Sequence, residues 1–264
     1  MPAPAPADDS RPPALMPRSP RLLIPGVPLH VVQRGNNRAL TFRTTWDFQL
    51  YRETLLEASR RFNCAIHAYA LMTNHVHLLV SSDDDTGVSR MMHAVGTRFV
   101  RRVNTRYGRT GTLWEGRFKS ALIDSERYFF ACTRYVELNP VRARLVHEPA
   151  EYDWSSHRHN AYGGRDALIT PHPLYLALGA LPARRHEAYR ALFREPLEDS
   201  TLGAIRRATA RGRVVGDEPF VEQIETTLER PLSRLAHGGD RRSSAFRASP
   251  VGFGASSVSR NLTP

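Results

Sequence analysis

An α+β fold, with helices packed on one face of a single antiparallel sheet, is what the sequence predicts. Three observations carry it. Strand-like and helix-like segments alternate in the order β-α-β-β-α-β between Val27 and Ile123, and a further helix follows. The link between the second and third strands, Met72-Thr73-Asn74, is short enough for an antiparallel hairpin. The helical segments are apolar on one side only. This order is the split-βαβ, ferredoxin-like pattern, with a catalytic helix after the sheet and a small C-terminal helical extension. It leaves the second face of the sheet free for a ligand.

Each element has its own signal. Val27 to Arg34 (VPLHVVQR) reads as a strand, and Gly35-Asn36-Asn37 as the turn that ends it. Thr44 and Thr45 can cap a helix whose apolar residues Phe48, Tyr51, Leu55, Ala58 and Phe62 recur at steps of three and four. Ala65 to Leu71 and His75 to Ser81 are the second and third strands. Asp83-Asp84-Asp85 is a solvated loop that caps the next helix. That helix spans Thr86 to Tyr107, with Val88, Met91, Met92, Val95, Phe99 and Val103 inward and Arg90, Arg98, Arg101 and Arg102 outward. Leu113 to Ile123 is the fourth strand, and Asp124/Ser125 cap a helix that runs towards Pro140. After the breaker Gly163-Gly164, four segments have helical spacing: Leu174–Leu178, Ala183–Phe193, Leu202–Thr209 and Glu218–Leu228. Gly212-Arg213 reads as a turn between the last two.

The expected organisation is a disordered tail over 1–16, a main domain over 17–163, a helical extension over 164–236 that is either an accessory DNA-binding unit, through Arg206, Arg207, Arg211 and Arg213, or packing over a sheet edge, and a disordered basic tail over 237–264. The tails are rich in Pro/Ala and in Gly/Ser/Arg respectively, compositions that bury too little apolar surface to offset ordering.

Composition narrows the function. The 264 residues carry a formal charge of +11, which suits a polyanionic partner, nucleic acid or an anionic membrane surface. Two cysteines, Cys64 and Cys132, exclude a disulfide scaffold and a cysteine-built zinc site and fit a reducing cytoplasm. No apolar run approaches the length of a membrane span, so no membrane is expected as partner.

Two sets of residues point to chemistry. His75 and His77 are two apart on a strand, so both imidazoles share one face and can hold one divalent cation. Alone the pair is weak: eleven histidines placed at random in this length give roughly half such a pair. A pair of half-buried surface histidines is the plainer alternative. Tyr135 and Asn139, in RYVELNPVR, lie four apart on a helix, a possible nucleophile and a hard amide ligand. Pro140 disfavours helical geometry at Asn139, so Asn139 is equally a helix cap. Glu137, two residues on from Tyr135, faces away from it.

Other residues suit nucleic acid. In RTGTLWEGRFK, Trp114 and Phe118 can stack on unpaired bases while Arg117 and Lys119 meet phosphates, or the stretch is a strand with buried aromatics. The turn residues Arg34, Asn37 and Arg38 offer donors to a phosphate, as do Arg98 and Arg102 on their helix. His30, His67 and His93 read as packing histidines.

Taken together, HVVQRGNNR at 30–38, AYALMTNHVHLLV at 68–80, GTLWEGRFKS at 111–120, RYVELNPVRARLV at 134–146 and YDWSS at 152–156 resemble the single-tyrosine transposases of the HUH endonuclease superfamily. Within these they are most similar to the REP-associated tyrosine transposases. The resemblance implies His75 and His77 as metal ligands, Tyr135 as nucleophile, and Asn139 at the third-ligand position, where many relatives outside this group have glutamine. It implies magnesium or manganese as cofactor, single-stranded or hairpin DNA as partner, and cleavage through a 5′-phosphotyrosine in a monomer or homodimer. Two alternatives share the fold: a non-catalytic hairpin-DNA-binding regulator, and a nickase of the relaxase or replication-initiator type. The residues after Tyr162 contain no GxxxxGK[ST] motif of a fused helicase.

Overall fold

The computed structural model describes residues 21–124, 128–229 and 231–232. Both expected tails, 1–16 and 237–264, fall wholly outside them, as does Ser125 of the expected cap. The elements in chain order are β1 (Leu29–Arg34), α1 (Thr45–Arg61), β2 (Cys64–Met72), β3 (His75–Ser82), α2 (Gly87–Tyr107), β4 (Lys119–Ile123), α3 (Phe129–Glu137), α4 (Asn139–Arg142), α5 (His157–Tyr162), α6 (Pro173–Ala177), α7 (Pro182–Ala191), α8 (Asp199–Arg211), β5 (Val214–Val215) and α9 (Glu218–Thr227). By its internal contacts the chain divides between Val221 and Glu222. In the second unit, Thr226 and Thr227 hydroxyls donate to the Glu222 and Gln223 carbonyls within the last helical turns.

The sheet order is β2-β3-β1-β4-β5, with β1 antiparallel to β3 and β4, and β2 antiparallel to β3. The first four strands are thus the ferredoxin-like sheet that the sequence predicts. β5 was not expected. The chain leaves α8 through Gly212, whose φ of 67° is the left-handed conformation a glycine tolerates. It then lays Val214 and Val215 parallel to β4.

Local signals explain the helix ends. Thr44 and Asp47 form a reciprocal capping box at α1. Asp84 Oδ1 accepts from the Thr86 and Gly87 backbone N–H groups and caps α2 as expected. α3 starts with Tyr128 at its N-cap. The inward residues expected on α2 are all buried.

Two expectations are corrected. The fourth strand begins at Lys119, not at Leu113. Gly116 has φ +70°, and residues 113–118 form a loop that pairs only through Gly35 and Trp114. The second sheet face is also not left free. α1 and α2 pack on one face, while α3 and α8 cover the other, around a cluster that includes Ala68, Ala70, Leu79, Ala121, Cys132, Val136 and Ile205. The small side chains of Ala68 and Ala70 let α3 close down on β2.

β2 is an edge strand, and its free edge is covered. The Leu71 N–H donates to the Trp154 carbonyl (2.8 Å) and the Ser156 N–H to the Tyr69 carbonyl (3.0 Å). The Tyr152 hydroxyl donates to the Leu71 carbonyl at 2.6 Å. Further along, the Thr170 N–H donates to the Ile66 carbonyl at 2.8 Å. This is the structural work of the YDWSS segment. Among the described residues no helix is long and apolar enough to cross a membrane.

Candidate active site

The strand register assembles the site. Val32 of β1 lies opposite His77 of β3 and Lys119 of β4, and Arg34 opposite His75. Because side chains alternate, His30, Val32 and Arg34 share the face that carries His75, His77 and Lys119. α3 crosses this face and brings the Tyr135 ring to 5.8 Å from that of His77 and 5.4 Å from that of His30, both edge-on. His75 and His77 rings are 4.9 Å apart.

Hydrogen bonds fix which nitrogen of His75 is free. Asn74 Nδ2 donates to the Arg38 carbonyl (3.2 Å), so Asn74 Oδ1 is the atom that faces His75 Nδ1 at 2.6 Å. An amide oxygen only accepts, hence His75 carries its proton on Nδ1 and leaves Nε2 as a lone pair. His77 Nδ1 is engaged by His30 Nε2 at 2.9 Å. Burial holds His75 down at about 4 and His30 at about 3, and pushes His77 well below its ordinary value, so all are neutral near pH 7. Neutral imidazoles with Nδ1 occupied and Nε2 free are the form a divalent cation takes. The pair therefore fits a metal. Among the described residues no group of three His, Cys, Asp or Glu can hold one.

Asn139 Nδ2 donates to the Tyr135 and Val136 carbonyls at 3.0 and 3.3 Å. It thereby caps the end of α3, and its Oδ1 remains the atom a cation could take. Asn139 and His75 are not in the wall of the cavity described next.

In front of His77 and Tyr135 lies a cavity of about 410 Å³. Arg34, Arg38, Arg117, Lys119 and Arg206 bring five cations to its wall against one carboxylate, Glu115. Such a wall takes a polyanion. The turn carrying Arg34 and Arg38 needs Gly35, because a Cβ there would sit 2.4 Å from the Ala39 carbonyl oxygen. Asn37, at φ 51°, is exposed and not in the wall.

Three further expectations change. Trp114 and Phe118 are only 4 % and 8 % exposed. Trp114 packs 6.0 Å from Phe99 and 6.1 Å from Tyr51, so it belongs to the core under α1 and α2 and does not present a face to a base. Arg98 and Arg102 line a different groove of about 990 Å³ between α1 and α2, where Arg98 pairs with Glu57. His30 is a partner of His77 rather than a packing residue, and His93 is exposed. His67 is buried with both ring nitrogens satisfied, by the Thr170 carbonyl and the Ser81 hydroxyl.

Glu137 does face away from Tyr135. It is fully buried and accepts from Ser156 (2.6 Å), Asn160 (2.9 Å), His157 (2.8 Å) and Tyr189 (2.9 Å). These bonds tie the end of α3, and so Tyr135, to α5 and α7. The sequence reading missed Arg142. Its half-buried guanidinium lies 4.5 Å from the Tyr135 ring centroid, donates to the Tyr135 carbonyl, and is lowered by burial only to about 10, so it stays cationic. Its signal was an arginine seven residues beyond the tyrosine, about two helical turns on.

Solved structures similar to the chain include the REP-associated tyrosine transposase bound to a REP hairpin, at 21 % identity and TM-score 0.48, over 60 % of this chain and 93 % of that one. Another is a candidate transposase from Deinococcus radiodurans R1, at 15 % identity and TM-score 0.33, over 43 % and 90 %. Comparison with curated proteins finds no match. Residues 25–139, from the turn before β1 to Asn139, match the model of the family described as IS200-like transposases.

Proposed function

We propose that the protein cuts and rejoins single-stranded DNA beside hairpins, with Tyr135 as nucleophile and a magnesium or manganese ion held by His75 and His77, with Asn139 as third ligand. The observation that carries this reading is the juxtaposition of two neutral imidazoles, their Nδ1 atoms engaged, with Tyr135 at the wall of a cationic cavity. When bound, the cation would withdraw charge from a scissile phosphate oxygen. Arg34, Arg38, Arg117, Lys119 and Arg206 would hold the flanking phosphates. Tyr135 Oη attacks phosphorus, its proton leaves, and the bond from phosphorus to the 3′ oxygen breaks. The 3′ oxygen takes up a proton, and the 5′ end stays on the tyrosine as a phosphodiester. Attack by another 3′-OH reverses the step without ATP. Glu137 ties the end of α3 to α5 and α7 and Asn139 caps it, so the phenol meets a fixed target.

The test is a denaturing gel on 5′- and 3′-labelled hairpin DNA from the flanks of the gene. Cleavage is expected with Mn²⁺ and absent in EDTA or in His77→Ala. Equal cutting in EDTA, or by His77→Ala, would exclude the metal-dependent reading.

A further inference from the structure

The hydrogen bonds at His77 continue through His30 into α8, which lies outside the segment 25–139 that the family model matches. Thr209 Oγ1 is 2.8 Å from the Ile205 carbonyl oxygen and 2.8 Å from His30 Nδ1. Two oxygens at that distance need a proton between them, and a carbonyl has none, so the hydroxyl donates to Ile205. It then has only lone pairs for His30, and His30 must carry its proton on Nδ1. A neutral imidazole has one N–H, so His30 Nε2 accepts. It stands 2.9 Å from His77 Nδ1, which therefore donates. His30, His77 and Thr209 are 0 %, 4 % and 5 % exposed, so bulk water is not at hand to replace a missing partner.

We propose that Thr209, acting through His30, is a positioning residue that keeps the His77 proton on Nδ1 and so leaves Nε2 free to hold the cation. α8 is thereby part of the active site, with Arg206 one turn before Thr209 at the same cavity. The pairing of β5 with β4 anchors α8 there: the Leu122 N–H donates to the Arg213 carbonyl and the Asp124 N–H to the Val215 carbonyl. The tautomer follows from the hydrogen bonds of two buried, neutral imidazoles; only its use for a cation rests on the function proposed above. Without the Thr209 oxygen, His30 is free to carry its proton on Nε2 and donate to His77 Nδ1. That moves the His77 proton to Nε2 and blocks the ligand position.

The experiment uses the full-length, metal-free protein with ¹⁵N-labelled histidine. Long-range ¹H–¹⁵N spectra read the His77 tautomer in wild type, Thr209→Ser and Thr209→Val, and Mn²⁺ titration by electron paramagnetic resonance reads affinity. Wild type and Thr209→Ser are expected to show His77 wholly as Nδ1–H. Thr209→Val is expected to show Nε2–H signal and to bind Mn²⁺ about tenfold more weakly. A wild-type His77 protonated on Nε2 would overturn the proposal without any variant having to fold. So would a Thr209→Val protein with unchanged tautomer and unchanged affinity. If wild type bound no Mn²⁺, the metal reading would fall, while the tautomer would still decide the role of Thr209.

Discussion

Lowering the pH from 7.5 to 5 is expected to destabilise the protein through histidines buried in their neutral form, and His67 makes the effect measurable. Burial brings His67 from 6.5 down to about 4 in the folded chain. The unfolded chain therefore binds a proton that the folded chain refuses, and stability falls as pH drops from about 6.5 towards 4. The full loss is about 3 kcal/mol, of which about 2 kcal/mol is gone by pH 5. His30, lowered to about 3, and His75, lowered to about 4, act in the same direction. His67 is the one to perturb, because it bonds Thr170 and Ser81 and makes no contact with the proposed metal site. Urea unfolding of wild type and His67→Gln would be measured at both pH values without metal. His67→Gln should lose about 2 kcal/mol less than wild type between them. The same loss in both proteins would refute the reasoning, whatever the variant does to stability at pH 7.5.

Other substitutions separate core from site. Trp114→Ala should cost about 3–5 kcal/mol of stability as a core truncation. DNA affinity, measured at a temperature where the variant is folded, should stay within twofold; a large affinity loss with unchanged unfolding would restore the base-stacking role. Glu137→Gln replaces an acceptor of four donors by a group that accepts on one side only, and should cost about 3–5 kcal/mol in urea unfolding. An unchanged midpoint would refute the network as the anchor of α3. Arg117→Ala and Lys119→Ala should each reduce the slope of log affinity against log salt for single-stranded DNA by about 0.7, one phosphate contact each. A slope equal to wild type in both would remove them from the DNA path.

The sheet and its first two helices were legible because their signals are local. Alternation marks the strands, Thr44 and Asp84 mark helix starts, and Val88 to Val103 mark the buried stripe of α2. His75 and His77 were readable as a pair for the same reason, since two-residue spacing sets a shared face. What stayed hidden depends on register and on distant packing. His30 becomes a partner of His77 only once Val32 is known to pair with His77. Thr209 is 179 residues from His30, and no short-range pattern joins them. Trp114 misled because aromatic-basic alternation reads the same in a DNA-facing strand and in a loop that sends its tryptophan inward. The free second face was wrong for a related reason: α8 returns to the sheet from beyond residue 164, and its apolar stripe does not reveal what it covers.

The central claim is that Tyr135 carries DNA. The direct measurement is peptide mass analysis after wild-type protein and Tyr135→Phe react with hairpin single-stranded DNA and Mn²⁺. Wild type should yield the peptide containing Tyr135 with a nucleotide joined through phosphate, and Tyr135→Phe should yield none while binding the DNA with nearly wild-type affinity. An adduct on another residue, or cleavage by Tyr135→Phe at the wild-type rate, would contradict the account.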